Sequence, residues 1–191
     1  MSAQGETAIP EPGEPLAELS QEHAFVQPLL KRLMEIGHRV HSGQPVDPRT
    51  ALIGVSLLDA YLHRVHVGEE DRDLRPDVEL MVRGRCATHL GHMSTNHSEM
   101  CRRAQQLLLD IRLWATGDAA AQARVGRGII ELATRDYEAV QYEEAYALAC
   151  LRSAIPEGAQ RLLKSRLEDH AGTRKALEVR IGQFLDGTYR T

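Results

Sequence analysis

Apolar residues recur by threes and fours along most of this chain, the spacing of a helix with one buried stripe. The first stripe runs Leu16, Leu19, His23, Val26, Leu30, Leu33, Gly37, Val40. Pro28 lies inside it and should kink the helix. The segment His41-Ser-Gly-Gln-Pro-Val-Asp-Pro48 reads as a loop from its Gly and Pro content. A second helix is predicted from about Arg49 to about Asp71, burying Leu52, Val55, Leu58, Leu62 and Val65, with Pro76 marking a break. The third stripe is the most regular: Cys86, Leu90, Met93, His97, Met100, Ala104, Leu107, Ile111, Trp114. Thr116-Gly-Asp118 is a turn, with Asp118 the expected N-cap of a fourth helix. That helix carries Val125, Ile129, Leu132, Asp136, Ala139, Glu143, Tyr146 and Cys150. Ile155-Pro156-Glu157-Gly158 ends it, and a fifth helix follows with Leu163, Leu167, His170, Leu177, Ile181 and Phe184.

Four helices joined by short loops make sequential neighbours antiparallel. The predicted fold is all-α, an up-down four-helix bundle of two αα-hairpins with an additional C-terminal helix. Residues 1–14 form a Pro-rich, acidic tail with almost nothing to bury and are expected to be disordered. Residues 15–154 form the bundle, and 155–191 hold the C-terminal helix packed on it. Aromatic residues make up only 4% of the chain, which favours helices over sheets.

Charge and cysteine content narrow the function. The net charge of −4 offers no basic footprint for nucleic acid. No apolar run approaches the roughly 18 residues needed to span a bilayer, and the first 15 residues lack an apolar signal core. Three cysteines, Cys86, Cys101 and Cys150, suit reduced thiols better than a disulfide framework, so a cytoplasmic protein is expected. Cys101 reads as a small core filler.

Ionisable residues inside the stripes carry the candidate chemistry. His23 and Glu70 are 47 residues apart, and His97 and Glu143 are 46 apart. His66 and Glu70 are one turn apart, on one side of their helix. Counting from each hairpin loop at about 1.5 Å per residue brings these groups to similar heights. Burying several imidazoles and carboxylates without partners costs several kcal/mol each, and a cation offsets that cost. Mixed imidazole and carboxylate donors suit iron, manganese or zinc. His63, His89 and His92 fall off the stripes and read as surface groups.

These motifs resemble the hemerythrin-like (HHE cation-binding) domains. Glu22-His23 is similar to the family's first Glu-His. His66-Val-Gly-Glu-Glu70, with Leu74 and Pro76 behind it, resembles its His-x-x-x-Glu motif. Asn96-His97 and Tyr142-Glu143-Glu144 resemble the second repeat. The resemblance covers about residues 16–150 and implies a non-haem diiron site held by His23, His66, Glu70, His97 and Glu143. It also implies oxygen or a related small oxidant, peroxide or nitric oxide, as the partner that the protein binds or senses, with redox turnover at iron as an open option. Ala139 stands where the family has a histidine. Asp136, His170 or water can take that place; otherwise the site is mononuclear or holds no metal. Two other readings remain: a degenerate, metal-free scaffold or interaction domain, and a diiron-type oxidase or oxygenase of a small organic substrate. Ferritin-like bundles use paired Glu-x-x-His motifs, and this chain has only Glu35-Ile-Gly-His38. No Ser-His-Asp or Cys-His motif and no phosphate-binding glycine loop is present.

Overall fold

The computed structural model describes residues 15–82, 84–156, 159, 163 and 170–189. The expected tail, 1–14, and Leu167 lie outside them. The chain is all-helical, with no strand among the described residues. Helix α1 (Pro15–His41) runs unbroken through Pro28. Asp47 caps α2 (Pro48–Leu58) by accepting from the Arg49 amide, and Pro48 occupies a first-turn position where no N–H is needed. The chain then widens into two π-helical stretches, π1 (Asp59–His66) and π2 (Glu69–Leu74), before α3 (Arg75–Val82). Pro76 does not break the chain's course: it sits in the first turn of α3, where proline is tolerated. Then come α4 (Ala87–Ala115), α5 (Ala119–Tyr142), π3 (Glu143–Ala147), α6 (Leu148–Ala154) and α7 (Ala171–Leu185). Asp118 caps α5 as expected, accepting from the amides of Ala120 and Ala121, and Gly117 supplies the left-handed turn before it with φ 98°.

Helix α1 packs along α5, α4 packs along α5 and α2, and α1 also meets α2. The α1–α5 approach is close because of two glycines. A Cβ on Gly126 would stand 2.6 Å from the His41 backbone nitrogen, and one on Gly37 would stand 3.1 Å from the Gly126 carbonyl oxygen. Helix α7 rests against α2, π1 and α1, burying Leu177, Ile181 and Phe184.

The apolar interior falls into two clusters. One contains Val26, Leu30, Leu62, Ala104, Ile129 and Val140. The other contains Leu19, Leu74, Met93, Ala147 and Leu148. On each long helix one histidine or glutamate lies between them: His23 after Leu19, His66 after Leu62, His97 after Met93, Glu143 after Val140. The candidate ligands therefore form a polar layer across the interior. All five are at most 5% exposed.

Two further expectations about the core need correction. Cys86 and Cys150 form a disulfide, with Cα atoms 6.1 Å apart across a separation of 64 residues. That spacing suits a disulfide, and packing of α3 against α6, invisible as a local motif, brings the turn at Cys86 to Cys150. Only Cys101 is free, which removes the cysteine argument for a reducing compartment. Tyr146, expected in the buried stripe, is 57% exposed, and Ala147 is buried instead. An i→i+5 turn holds more residues than the 3.6 of an α-turn, so π3 advances the buried face by one position. Among the described residues no helix is long and apolar enough to cross a membrane.

Candidate metal centre

Each of the three stripe histidines turns Nε2 inward. His23 Nε2 is 2.9 Å from His66 Nε2 and 3.1 Å from Glu143 Oε2. His97 Nε2 is 3.0 Å from Glu143 Oε1 and 3.4 Å from Glu70 Oε2. That same Glu70 oxygen is 3.5 Å from His66 Nε2. Both glutamates thus stand between the His23–His66 pair and His97. One donor atom each from His23, His66, Glu70 and Glu143 falls within 4.8 Å of the others, and this cluster could hold a metal ion. His97 reaches the same two carboxylates from the opposite side.

The outward nitrogens are all fixed by carboxylates. His23 Nδ1 meets Glu144 at 2.7 Å, His66 Nδ1 meets Glu22 at 2.7 Å, and His97 Nδ1 meets Asp71 at 3.0 Å. A carboxylate on one ring nitrogen orients the imidazole and raises the basicity of the other, the usual support of a metal-binding histidine. Glu22 is held in turn by Arg174 of α7, whose other terminal nitrogen is 3.4 Å from Glu69. The C-terminal helix therefore reaches the centre through Arg174, Glu22 and His66.

Protonation follows from burial and these contacts. Burial opposes charge on His23, but hydrogen bonds to Glu143 and Glu144 prevail and raise it to about 10. His97 also rises to about 10, where Asp71 and Glu143 outweigh burial. Glu143 is held below the usual carboxylate range: burial opposes its charge, and hydrogen bonds from His23 and His97 outweigh burial. Burial pushes the Glu70 carboxyl up despite the nearby imidazoles, and neither Glu70 side-chain oxygen has a hydrogen-bond partner. A buried carboxylate without donors, facing the imidazole nitrogens of His66 and His97, fits a cation that shares both sets of lone pairs.

The expected replacements for the missing histidine lie elsewhere. Ala139 is buried in the wall between Asp136 and Glu143. Asp136 bonds His63 Nε2 at 3.1 Å and is outside the four-residue cluster, as is His170, which precedes the first turn of α7. His63, expected at the surface, is 4% exposed; its Nδ1 is 3.6 Å from Asp59, which Arg64 also pairs. Burial lowers the affinity of His63 for a proton, but Asp136 and Asp59 reverse that and raise it to about 9. His89, also expected outside, is half-buried and accepts or donates at 2.8 Å with the Tyr142 hydroxyl; His92 is exposed as expected. Cys101 is half-buried, its Sγ 3.7 Å from the His63 carbonyl.

Sequence reasoning placed Glu22 and Glu144 in the motifs without their role as partners of His66 and His23, and missed the roles of Asp71, His63 and Arg174. A signal existed for three of them. Glu22 precedes His23, while Asp71 and Glu144 directly follow Glu70 and Glu143. In each acidic pair the first residue faces the cluster and the second orients a histidine from another helix. No family model, curated protein or solved structure matches this chain.

Proposed function

We propose that the chain is a hemerythrin-like non-haem iron protein on an up-down four-helix bundle, binding or sensing oxygen or a related small oxidant. The convergence of three Nε2 atoms and two glutamates, with every Nδ1 anchored by a carboxylate, carries this reading. His23 and His66 would hold one iron and His97 a second, with Glu70 and Glu143 shared between them. Bound iron would supply Lewis acidity and a redox couple to a small oxidant. The protein's own share is orientation of the imidazoles by Glu22, Asp71 and Glu144, and exclusion of water by the apolar clusters on both sides. A small apolar cavity of about 30 Å³ touches Glu70 and is walled by Leu16, Leu19, Leu74, Met93 and Leu148. It is large enough for one small molecule, and its lining suits an uncharged diatomic gas.

A second reading, oxidation of a small organic substrate at the same centre, is favoured by one observation: a cavity opens at Ala139. Metal analysis after loading with iron, with visible spectra in the presence and absence of oxygen or azide, tests the shared premise. Two irons per chain support the full site and one supports a site shortened by Ala139. A folded protein that takes up no metal, and gains no stability from it, sinks both readings. His66→Ala is expected to abolish loading, and Asp136→Ala to leave it intact.

A further inference from the structure

The cavity at Ala139 measures about 290 Å³ and lies between α4 and α5, lined by His92, Asn96, Met100, Arg135, Ala139 and Tyr142. Its floor is Met100 and Ala139, 4% and 6% exposed. His97 follows Asn96 in the chain, and Glu143 is one turn beyond Ala139, so the floor backs onto the His97 side of the metal-binding cluster. Any side chain longer than a methyl group at position 139 would enter this floor.

The walls differ in chemistry. On one side Tyr142 lies edge-on to His92, with ring centroids 4.4 Å apart, and 5.2 Å from Tyr146; its hydroxyl is fixed by His89. This is an aromatic cluster in a chain with only 2 Phe, 5 Tyr and 1 Trp. The other side holds charges. Glu99 lines the cavity but is neutralised by Arg103 at 2.6 Å. Arg135 makes no hydrogen bond or ion pair among the described residues and acts on Glu99 only through longer-range attraction, so its guanidinium fork is available. Glu138, three residues on, also lines the cavity and opposes negative charge there, so the site tolerates one carboxylate placed against Arg135 better than two.

We propose that this cavity binds a small planar monocarboxylate, an aromatic acid of about benzoate's size, with its carboxylate on Arg135 and its ring beside Tyr142. A guanidinium matches a carboxylate through two parallel hydrogen bonds. An aromatic ring gains from edge and face contacts with the tyrosine and imidazole. The volume is many times the roughly 10–15 Å³ of free space that one water needs, ample for a molecule of benzoate's size. The position of this ligand next to a metal rests on the iron reading above; its binding to the cavity does not.

Benzoate titrated into metal-free and iron-loaded protein, followed by amide NMR shifts and calorimetry, tests this. Wild type is expected to bind, with shifts centred on Asn96, Arg135 and Tyr142. Arg135→Gln, an exposed change that leaves the core alone, should weaken binding at least tenfold, as should Ala139→Leu, while Arg112→Gln should change nothing. Phthalate, with its second carboxylate, should bind more weakly than benzoate. In the iron-loaded protein benzoate should perturb the visible spectrum, and Ala139→Leu should suppress that response. Wild type that loads iron yet ignores millimolar benzoate overturns the cavity proposal alone, as does benzoate binding indifferent to Arg135→Gln. Benzoate binding that depends on Arg135 in a protein that takes up no iron upholds the cavity and overturns the metal reading.

Discussion

His63→Gln should remove a specific block of pH-dependent stability. The imidazole is buried between Asp136 of α5 at 3.1 Å and Asp59 of π1 at 3.6 Å, with Arg64 on the far side of Asp59 and the half-buried Cys101 nearby. Its proton affinity rises from 6.5 to about 9 in the fold. A group whose folded value is raised contributes stability that is complete below the unfolded value and lost as pH climbs through the folded one. At roughly 1.4 kcal/mol per pH unit, the contribution is about 3 kcal/mol, present at pH 6 and gone by about pH 9.5. Urea unfolding of chelator-treated wild type and His63→Gln, at intervals from pH 6 to pH 10, measures it. His23 and His97 also titrate in the alkaline range, but their effect is common to both proteins and cancels in the difference so far as the sites are independent. The difference curve should fall by about 3 kcal/mol between pH 6.5 and 9.5. A flat difference would refute the assignment of a charged, doubly paired imidazole at this position.

Arg174→Gln, which releases the carboxylate that orients His66, should weaken metal binding about 10-fold, the low end of the effect of losing a ligand's outer partner, and shift the metal's spectrum; Arg174→Lys should recover part of both, and unchanged affinity with α7 still docked would argue against the Arg174–Glu22–His66 link. Gly126→Ala should lose about 1–3 kcal/mol in thermal or chemical unfolding, because its new Cβ would meet the His41 backbone, a fixed obstacle. Reducing the Cys86–Cys150 bond, or replacing both cysteines by serine, opens a loop that spans 64 residues and should cost about 4 kcal/mol, read from denaturation midpoints with and without reductant.

The sequence disclosed the helices whose α period is unbroken. Every stripe residue anticipated from Cys86 to Trp114 is buried, because α4 holds one phase over its whole length. It disclosed less where the helix widens. In π1 and π2 extra residues enter each turn, so His63 and Glu69 turn inward while Val65 is only half-buried. An α-helical wheel places these residues wrongly, and nothing in their local composition announces the change. Gly68 lies between the two π-helical stretches. The five candidate ligands were legible because each falls in or beside a regular stripe. Their supporting carboxylates were not, since each serves a histidine distant in the chain: Glu144 serves His23, and Asp71 serves His97. Arg174 was hidden for the same reason, being 152 residues from Glu22.

The polar layer has a consequence for how the molecule holds together. It interrupts hydrophobic contact between the two apolar clusters, so cooperativity between the halves passes through hydrogen bonds and charge pairs. The half around Leu19, Leu74 and Leu148 is the smaller and contains the Cys86–Cys150 crosslink. Without an ion it is the half free to open first, and its amides should exchange with solvent ahead of those around Ile111 and Ile129. Metal held jointly by these helices would weld the halves into one unfolding unit. Occupancy of the centre would then set the mechanical continuity of the whole helical assembly.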